Sequence, residues 1–348
     1  MKILVTGASG FIGSFIVEEG LRREMAVWAG MRPSSSKKYL GQDKLQYVEL
    51  DFSHPDVLRK QLTDFKNKEG KWDYIVHAAG ATKCLHKEDF FRTNYDGTRH
   101  FVEALVALDM IPERFVFISS LSVYGAIREA PCSFAVGKQN EMGWIYAPIQ
   151  DTDIPAPNTA YGQSKLKAEQ YLKSLPDFPY VILRPTGVYG PREKDYFLMA
   201  QSIQRHTDFS VGFRPQEITF VYVLDLVQAV FLSLEKPVTG KAYFISDGEV
   251  YNSRTFSDLI QAELGNPWVL HIKAPVWVLH GVCSVCEYVN KWLGKAGTLN
   301  NDKFHILRQR NWQCDLEPAR KELGYQPQYS LKKGVQETIA WYKKEGWL

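Results

Sequence analysis

The N-terminal half of the chain alternates short apolar runs with longer stretches whose apolar residues recur at helical spacing. Continuous apolar strands separated by helices are typical of a parallel sheet that is covered on both faces. The predicted strands are Lys2–Thr6, Ala26–Gly30, Leu45–Leu50, Tyr74–His77, Phe115–Ser119 and Tyr180–Arg184. The clearest predicted helices are Phe11–Arg23, Val57–Phe65, Asp96–Leu108 and Ser164–Ser174.

The regular alternation fades after Arg184, where prolines and glycines mark a loop over 185–191. Helical patterns then surround two short predicted strands, Thr219–Val223 and Ala242–Ile245. The fold class predicted is therefore α/β, with a doubly wound parallel sheet (a Rossmann fold) over residues 1–184. Residues 185–348 are predicted to form mainly a smaller C-terminal substrate-binding lobe, with some elements returning to the main sheet. Because no linker separates the two lobes, we expect them to share a cleft.

Two segments depart from this pattern. Residues 126–160 form a long connection with Trp144, Tyr146 and four prolines, which favours a lid over the active site, with surface decoration as the alternative. Residues 274–293 are mostly apolar, but polar residues such as Glu287 interrupt them, so that the segment falls short of the ~18 uninterrupted apolar residues of a spanning helix. We expect a buried or cleft-covering helix there, with peripheral contact to a membrane surface as the alternative.

Composition narrows the class of protein. With 45% apolar and 23% charged residues, the 348-residue chain resembles a soluble globular enzyme, and its net charge of +3 indicates no nucleic-acid partner. Met1 leads directly into the first strand, so no signal peptide is expected, and five unpatterned cysteines fit the cytoplasm. Cys283 and Cys286 form a CxxC without a second pair, and we predict no metal site.

A glycine-rich turn follows the first strand. Its sequence, Gly7-Ala-Ser-Gly10-Phe-Ile-Gly13, comes after apolar residues and opens an apolar helix. At such a turn the backbone approaches a pyrophosphate closely, and unpaired N–H groups of the helix N-terminus receive the anion. The spacing predicts a dinucleotide site.

A second group of residues is suited to proton transfer. Tyr161 and Lys165 are four residues apart at the start of a helical pattern, which places them on one helix face. An adjacent ammonium favours the phenolate, so Lys165 is expected to lower the pKa of Tyr161 and enable proton exchange with an alcohol or carbonyl oxygen. The hydroxyl-rich run Ser119–Gly125 follows a predicted central strand, at the sheet edge where ligands bind.

With these residues the chain resembles the extended short-chain dehydrogenase/reductase family, which includes the NAD-dependent epimerases and dehydratases, dihydroflavonol reductases and 3β-hydroxysteroid dehydrogenases. The resemblance spans nearly the whole chain. The segments that carry it are Thr6–Gly13, Asp51-Phe52, His77–Gly80, Asn94–Thr98, Ser119–Gly125, Tyr161–Lys165, Leu183–Pro191, Phe220–Asp225, Glu322–Pro327 and Gly334–Trp341.

The resemblance implies a role for each matching position. It assigns the catalytic hydroxyl to Ser120, the acid/base to Tyr161, and the binding of the nicotinamide ribose to Lys165. The implied cofactor-binding residues are Gly7, Ser9, Gly10, Phe11, Ile12 and Gly13 at the pyrophosphate, Asp51 and Phe52 at the adenine, Ala78, Ala79 and Gly80 at the ribose, Asn94 as a brace, and Pro185, Gly187 and Val188 at the carboxamide, together with Tyr161 and Lys165.

Departures from the family pattern reduce the number of reactions that the chain is expected to catalyse. Leu121 and Ser122 replace the acidic pair of dehydratases, while Gly187 and Ile218 replace the Asn and Arg with which nucleotide-sugar enzymes contact a phosphate. The hypothesis is an NAD(P)-dependent oxidoreductase that transfers hydride between nicotinamide and a secondary alcohol or ketone, with a steroid-like or other apolar substrate. The alternatives are a nucleotide-sugar epimerase that uses transient oxidation by bound NAD, and a non-catalytic dinucleotide-binding protein.

The end of the second strand bears on the cofactor. NAD enzymes usually carry an acid there for the ribose 2′-hydroxyl, but this chain has Arg32, with Ser34–Ser36 and Lys37 nearby. NADP(H) is therefore favoured, with NAD(H) as the alternative and a merely solvated loop as the simplest competing explanation. The expected partner is a small-molecule substrate, and a homodimer is compatible with the sequence.

Overall fold

The computed structural model describes residues 1–131, 144–293, 297 and 300–348. Its strands are β1 (Lys2–Thr6), β2 (Ala26–Met31), β3 (Gln46–Glu49), β4 (Tyr74–His77), β5 (Arg114–Ile118), β6 (Glu129–Pro131), β7 (Trp144–Tyr146), β8 (Tyr180–Pro185), β9 (Gly187–Tyr189), β10 (Thr207–Val211), β11 (Glu217–Ile218), β12 (Phe220–Tyr222), β13 (Lys241–Ile245), β14 (Tyr251–Asn252) and β15 (Leu270–Ala274). Its α-helices are α1 (Phe11–Arg22), α2 (Pro55–Glu69), α3 (Lys87–Phe91), α4 (Gly97–Ala107), α5 (Ala160–Ser174), α6 (Asp195–Gln204), α7 (Val223–Glu235), α8 (Thr255–Glu263), α9 (Val276–Trp292), α10 (Asn301–Arg308) and α11 (Leu331–Lys344).

Seven parallel strands form the central sheet, in the order β13-β8-β5-β4-β1-β2-β3. This arrangement confirms the predicted doubly wound Rossmann sheet. The strand order reverses between β1 and β4, and in open α/β sheets the crevice at such a reversal, beyond the carboxyl ends of the strands, receives the ligand. The topology therefore places the candidate site at the ends of β1, β4, β5 and β8.

Both faces of the sheet are buried, which explains the continuous apolar strands. Ile3 and Val5 of β1 point into the core beneath α1 and α7, whereas Leu4 between them points into the opposite core beneath α2, α4 and α5. Successive side chains of a strand alternate between faces, so a strand covered on both sides needs apolar residues at every position. The sheet is consequently a rigid platform for the residues at its edge.

The C-terminal half builds a third, aromatic core around Tyr189, Tyr196, Phe220, Phe256 and Tyr342. These rings join β9 and β12 to α6, α8 and α11. The strand predicted over 219–223 is found as β12, which pairs with β9 rather than with the main sheet. β13 does pair with the main sheet, next to β8.

Two of the differences between the predicted and the observed helix starts have a local structural cause. α5 begins at Ala160, four residues earlier than predicted, because Thr159 caps it by accepting a hydrogen bond from the Gly162 backbone N–H at 3.0 Å. The stretch before α4 is a π-helical turn, Arg92–Asp96, which brings Asn94 to the inside of the fold. Apolar periodicity alone does not reveal either feature.

The described parts of the 126–160 connection are tied to the C-terminal lobe. β6 and β7 pair as an antiparallel hairpin, and the Tyr146 hydroxyl donates to the Pro215 carbonyl oxygen at 2.9 Å. The Glu129 carboxylate accepts from the backbone N–H groups of Arg310 and Asn311 at 2.9 Å each. Residues 132–143 lie outside the described residues, so the lid stays a prediction.

The structure contradicts a buried helix at 274–293, whereas Glu287 and Asn290 of this segment line a cleft, as a cleft-covering helix would. The segment is the end of β15 followed by α9, and the apolar residues Trp277, Tyr288 and Trp292 are exposed rather than buried. The helix instead turns polar residues toward α10, where Glu287 accepts from the Asn301 backbone N–H at 2.9 Å. No helix in the described parts of the chain has the length and hydropathy needed to cross a bilayer.

Candidate active site

The glycine-rich turn joins β1 to α1 in a form that only glycine permits. Gly7 has a φ of +65°, and a Cβ there would lie 2.7 Å from the Ala78 carbonyl oxygen. A Cβ on Gly13 would lie 2.2 Å from the Gly7 carbonyl oxygen. The turn is closed by a 2.9 Å hydrogen bond from the Gly10 N–H to Gly7, and α1 begins at Phe11. These residues fit a dinucleotide pyrophosphate at the N-terminus of α1.

The loop after β4 packs directly against this turn. The Thr6 hydroxyl contacts His77 Nδ1 at 2.8 Å and accepts from the Ala79 backbone N–H at 3.2 Å. Asn94 holds Ala81, two residues further along this loop. Its Oδ1 accepts from the Ala81 N–H at 2.7 Å, and its Nδ2 donates to the Ser164 hydroxyl of α5 at 2.9 Å. Ala78, Ala79 and Gly80 thus lie between the glycine turn and α5, and Asn94 is the brace.

Ser120 and Tyr161 meet at the carboxyl end of β5. Ser120 caps a short 3-10 turn, Leu121–Val123, by accepting from the Ser122 N–H at 3.1 Å, and its hydroxyl lies close enough to the Tyr161 side chain to lower the pKa of the phenol. Gly162 permits the close approach of α5, since a Cβ there would lie 2.4 Å from the Ser122 carbonyl oxygen. The structure therefore brings the predicted hydroxyl and phenol together.

Lys165 lies one helical turn further along α5. It is buried, and its ammonium donates to the Ile118 carbonyl oxygen at 2.9 Å. The ammonium also borders the loop after β4, because a Cβ on Gly80 would lie 3.0 Å from Lys165 Nζ. Ser120, Tyr161 and Lys165, called the triad below, thus lie at one edge of the sheet, and the glycine turn lies at the same edge two strands away, after β1.

A buried ion pair under the triad was not predicted from the sequence. Glu169, on α5, binds Arg184 of β8 at 2.6 Å and accepts from the Ser119 hydroxyl at 2.5 Å. Arg184 also donates to the Tyr124 hydroxyl at 3.0 Å. Glu169 follows Lys165 by four residues, so the helical spacing that pairs Tyr161 with Lys165 is the signal that extends to it.

The absence of a side chain at position 187 has a structural cause. A Cβ on Gly187 would lie 2.6 Å from the Tyr196 hydroxyl, so Tyr196 occupies the space that a side chain at 187 would need. The neighbouring Thr186 hydroxyl is buried at the end of β8 and has no hydrogen-bond partner among the described residues. Pro185 ends β8 and Val188 lies in β9, beside this group. Tyr196 was not singled out from the sequence, whereas Thr186 lies within the segment 185–188 that the resemblance places at the carboxamide.

The residues predicted to bind the adenosine part of the dinucleotide follow strands β2 and β3. Arg32 is exposed directly after β2. Asp51 accepts from His54 Nδ1 at 2.9 Å and from the Ser53 N–H at 3.0 Å, and Phe52 packs edge-on to His77 at 5.6 Å. The Asp51 carboxylate is thus held locally, and Arg32 is exposed at the end of β2.

A cleft opens beside the start of α5. It is lined by Cys84, Leu85, His86, Lys87 and Phe90 on one side and by Glu287, Asn290, Gly297, Asn300 and Asp302 on the other. Its position next to the triad follows from two contacts: the Asp302 carboxylate accepts from the Tyr161 backbone N–H at 3.2 Å, and the Phe90 ring lies 6.2 Å from the Tyr161 ring. Most of the lining residues have polar side chains, although apolar atoms contribute more than half of the exposed lining, and the exposed Trp277 is not one of the lining residues.

Comparison with known proteins agrees with this geometry. The model of the NAD dependent epimerase/dehydratase family matches residues 3–252. The chain belongs to this family. A UDP-glucose 4-epimerase from Vibrio cholerae is 24% identical over 97% of this chain and 94% of its own length. A 3 beta-hydroxysteroid dehydrogenase/Delta 5-->4-isomerase from Mycobacterium tuberculosis is 23% identical over 98% and 90%.

Among solved structures, a dTDP-glucose 4,6-dehydratase from Streptomyces venezuelae, with NAD bound, superposes with a TM-score of 0.76 at 21% identity, covering 100% of this chain and 98% of that one. This likeness supports the fold. Membership of the family confirms the prediction of a nicotinamide-dependent enzyme of the extended short-chain dehydrogenase/reductase type. NAD dependence is a property of the family, whereas a preference for NADP(H) is taken up below.

Burial changes the expected electrostatics of Tyr161. Desolvation raises the pKa of the phenol above its ordinary value, and the hydrogen bond with Ser120 lowers it only in part. The expectation that Lys165 lowers this pKa below its ordinary value is therefore wrong for this structure, in which the ammonium is directed to the Ile118 carbonyl oxygen. At neutral pH Tyr161 is protonated and placed to donate.

Burial also lowers the pKa of Lys165 to about 8, an effect that Glu169 partly opposes. Between this pKa and the ordinary value the unfolded chain binds more protons than the folded chain, so this group's contribution to stability rises with pH. Relative to Lys165→Met, wild-type stability is expected to rise by about 2 kcal/mol between about pH 7.5 and 9.5. Urea unfolding at both pH values measures this difference, with Lys167→Met, an exposed lysine of the same helix, as the control. A pH-independent difference contradicts the assignment.

Proposed function

We propose that this enzyme interconverts a secondary alcohol and a ketone on an apolar, steroid-like or aromatic substrate. Bound nicotinamide supplies the hydride acceptor or donor. Tyr161 gives a proton to the carbonyl oxygen, or takes one from the alcohol. Ser120 orients that oxygen through its hydroxyl, and Lys165 binds the nicotinamide ribose. Gly7, Gly10 and Gly13 hold the pyrophosphate.

The contact between Gly187 and Tyr196 carries the proposal on the substrate. Nucleotide-sugar enzymes that resemble this chain use an Asn at this position for a phosphate, and here the Tyr196 hydroxyl takes its space. Tyr196 packs against Phe220 and Phe256 at 6.1 and 4.7 Å between ring centroids. Ile218, at the other phosphate-binding position, packs against the same aromatic core. Both replacements favour an apolar group over a diphosphate.

A panel of ketones and alcohols tests this function. Hydroxysteroid-like and aromatic ketones are assayed with NADPH and NADH by absorbance of the reduced nicotinamide, and their binding is measured as a thermal shift in the presence of cofactor. We expect turnover of apolar ketones and a larger thermal shift with them than with UDP- or dTDP-sugars. A response to sugar nucleotides alone contradicts the proposal.

One observation favours sugar-nucleotide epimerisation as the second candidate. The cleft beside Tyr161 is lined by polar groups, including His86, Lys87, Asn300 and Asp302, which suit a hydroxylated substrate. A UDP-glucose 4-epimerase is among the relatives of the chain. An epimerase retains its cofactor through turnover, so a nicotinamide that co-purifies with the protein, together with interconversion of UDP-sugars, would establish this candidate. Turnover of either kind excludes a non-catalytic dinucleotide-binding role.

We also propose that NADPH binds more tightly than NADH. The support is the exposed Arg32 after β2, where an acid would repel a 2′-phosphate. Arg32→Ala is expected to weaken NADPH binding by about 10- to 100-fold, the value of a hydrogen bond to a charged group, and to leave NADH binding unchanged. Calorimetric titration measures both affinities, with Arg205→Ala, an exposed arginine at the end of α6, as the control. Equal affinities that Arg32→Ala leaves unchanged indicate a solvated loop.

Cytoplasmic localisation and assembly as a homodimer remain proposals drawn from the sequence. Cell fractionation tests the first, and light scattering of the purified protein tests the second.

A further inference from the structure

The outward face of α9 is apolar. Trp277, Val285, Tyr288 and Trp292 lie along one side of the helix, with spacings of eight, three and four residues. They are 78%, 64%, 76% and 82% exposed. A helix on a protein surface normally turns this kind of stripe toward the core. On α9 the stripe faces away from the rest of the chain.

The inward side of α9 is correspondingly polar. Ser284 contacts the Asn301 side chain at 3.4 Å, and Glu287 accepts from Asn301 Nδ2 at 2.8 Å. Cys283 is fully buried, and the His280 ring packs on Phe304 at 4.8 Å. These contacts fix which side of the helix faces the protein. The apolar side therefore stays available to a partner that is not part of the described structure.

The apolar surface continues past the N-terminal end of α9. Phe213 is 68% exposed, and the Lys273 ammonium lies 5.5 Å from its ring centroid. A Cβ on the adjacent Gly212 would lie 3.1 Å from Val276 Cγ2, which places the turn around Phe213 against the first residue of α9. Contiguous apolar patches of this kind mark interaction sites. We call Phe213 and the outward residues of α9 the α9 face.

The sequence segment that contains most of the α9 face carries a net positive charge. Residues 268–310 contain six Lys and Arg against two Asp and Glu, a net charge of +4, whereas the whole chain carries +3. The remaining residues therefore sum to −1. Exposed Trp and Tyr with basic neighbours are the composition of helices that lie in the headgroup region of a membrane. A second copy of the chain is a poor occupant, because a symmetric contact would bring two such positive segments together.

We propose that the α9 face binds the surface of an anionic lipid bilayer. Trp277, Tyr288, Trp292 and Phe213 insert at the level of the headgroups, and Lys273 contacts anionic lipid. The helix lies in the interface and does not cross the membrane. Its opposite side, through Glu287 and Asn290, lines the cleft beside Tyr161, so docking brings the cleft within about one helix diameter, roughly 10 Å, of the bilayer. The docking does not depend on the substrate proposed above.

Vesicle flotation with the purified full chain tests the proposal. We compare vesicles of phosphatidylcholine alone with vesicles that contain about one third phosphatidylglycerol. The wild-type protein is expected to float with the anionic vesicles, and less so at high salt. The triple variant Trp277→Ser/Tyr288→Ser/Trp292→Ser is expected to lose about tenfold or more in partitioning. The matched control, Val106→Ser/Ile154→Ser, removes exposed apolar residues outside the α9 face and should float like the wild type.

A charge variant covers the case in which the triple variant folds poorly. Lys273 is exposed, and Lys273→Glu is expected to weaken binding to the anionic vesicles while thermal stability and ketone turnover are retained. Failure of the wild-type protein to float with anionic vesicles overturns the proposal. So does a folded triple variant that floats like the wild type. A triple variant that converts a dimer to a monomer in light scattering, with no flotation of the wild type, assigns the α9 face to a second copy instead.

Discussion

The Tyr161→Phe variant is expected to lose about 10²- to 10⁴-fold in turnover, the usual contribution of a general acid or base. The substitution removes the hydroxyl that meets Ser120 and leaves the ring in contact with Phe90. Because the Ile118 carbonyl oxygen holds Lys165, and a backbone hydrogen bond closes the glycine turn, folding and dinucleotide binding should persist. Steady-state kinetics on the best ketone of the panel, with cofactor titration alongside, provides the measurement.

Tyr171→Phe is the matched control, since Tyr171 lies on the same helix and away from the cleft. Its turnover should remain at the wild-type level. If Tyr161→Phe retains near-wild-type turnover, another group transfers the proton and the assignment of Tyr161 is wrong. If Tyr161→Phe fails to bind dinucleotide, the lost activity says nothing about proton transfer, and Ser120→Ala then becomes the decisive variant.

Glu169→Gln is expected to destabilise the fold by about 3–5 kcal/mol, because it leaves the Arg184 guanidinium buried without its counter-charge. Glu169 is 0% exposed and Arg184 is 2% exposed, so water does not replace the lost partner. The amide also weakens the contact with the Ser119 hydroxyl at the end of β5. Urea unfolding at neutral pH measures the free-energy difference directly.

The surface ion pair between Glu317 and Arg320, 3.1 Å apart with both side chains about half exposed, supplies the control. Glu317→Gln should change the unfolding free energy by less than about 1 kcal/mol, because water screens an exposed pair. A Glu169→Gln effect as small as this would mean that solvent reaches Arg184. The ion pair beneath the triad would then have no structural role.

The sequence contained the information for the central sheet and for the residues at its edge. Strands that are apolar at every position predicted a sheet covered on both faces, and this is how β1, with Ile3, Leu4 and Val5, is buried. The glycine spacing predicted the turn at Gly7, where no other residue fits. The four-residue spacing of Tyr161 and Lys165 predicted one helix face. These features are local, so periodicity and spacing suffice to find them.

Other features depended on contacts between distant segments. The sequence shows that 274–293 is apolar, but only the packing against α10 decides that Glu287 faces inward and Trp277 outward. Likewise, the sequence shows only that Gly187 replaces the family's Asn. The structure shows that Tyr196, nine residues later, fills the space of that side chain. The pKa of Tyr161 follows the same rule: the spacing of charges predicted a lower value, and burial, which no local pattern reveals, raised it.

The sequence by itself therefore determined the fold class and the glycine turn, because both follow from the spacing of neighbouring positions. The assignment of Ser120, Tyr161 and Lys165 as catalytic residues stays a prediction, which rests on the family resemblance as well as on spacing. Tertiary structure alone decided which side of α9 meets solvent, which carboxylate balances Arg184 and how far burial shifts Tyr161 and Lys165. The physical reason is that desolvation and steric exclusion depend on every atom around a group, including atoms supplied by segments far away in the chain.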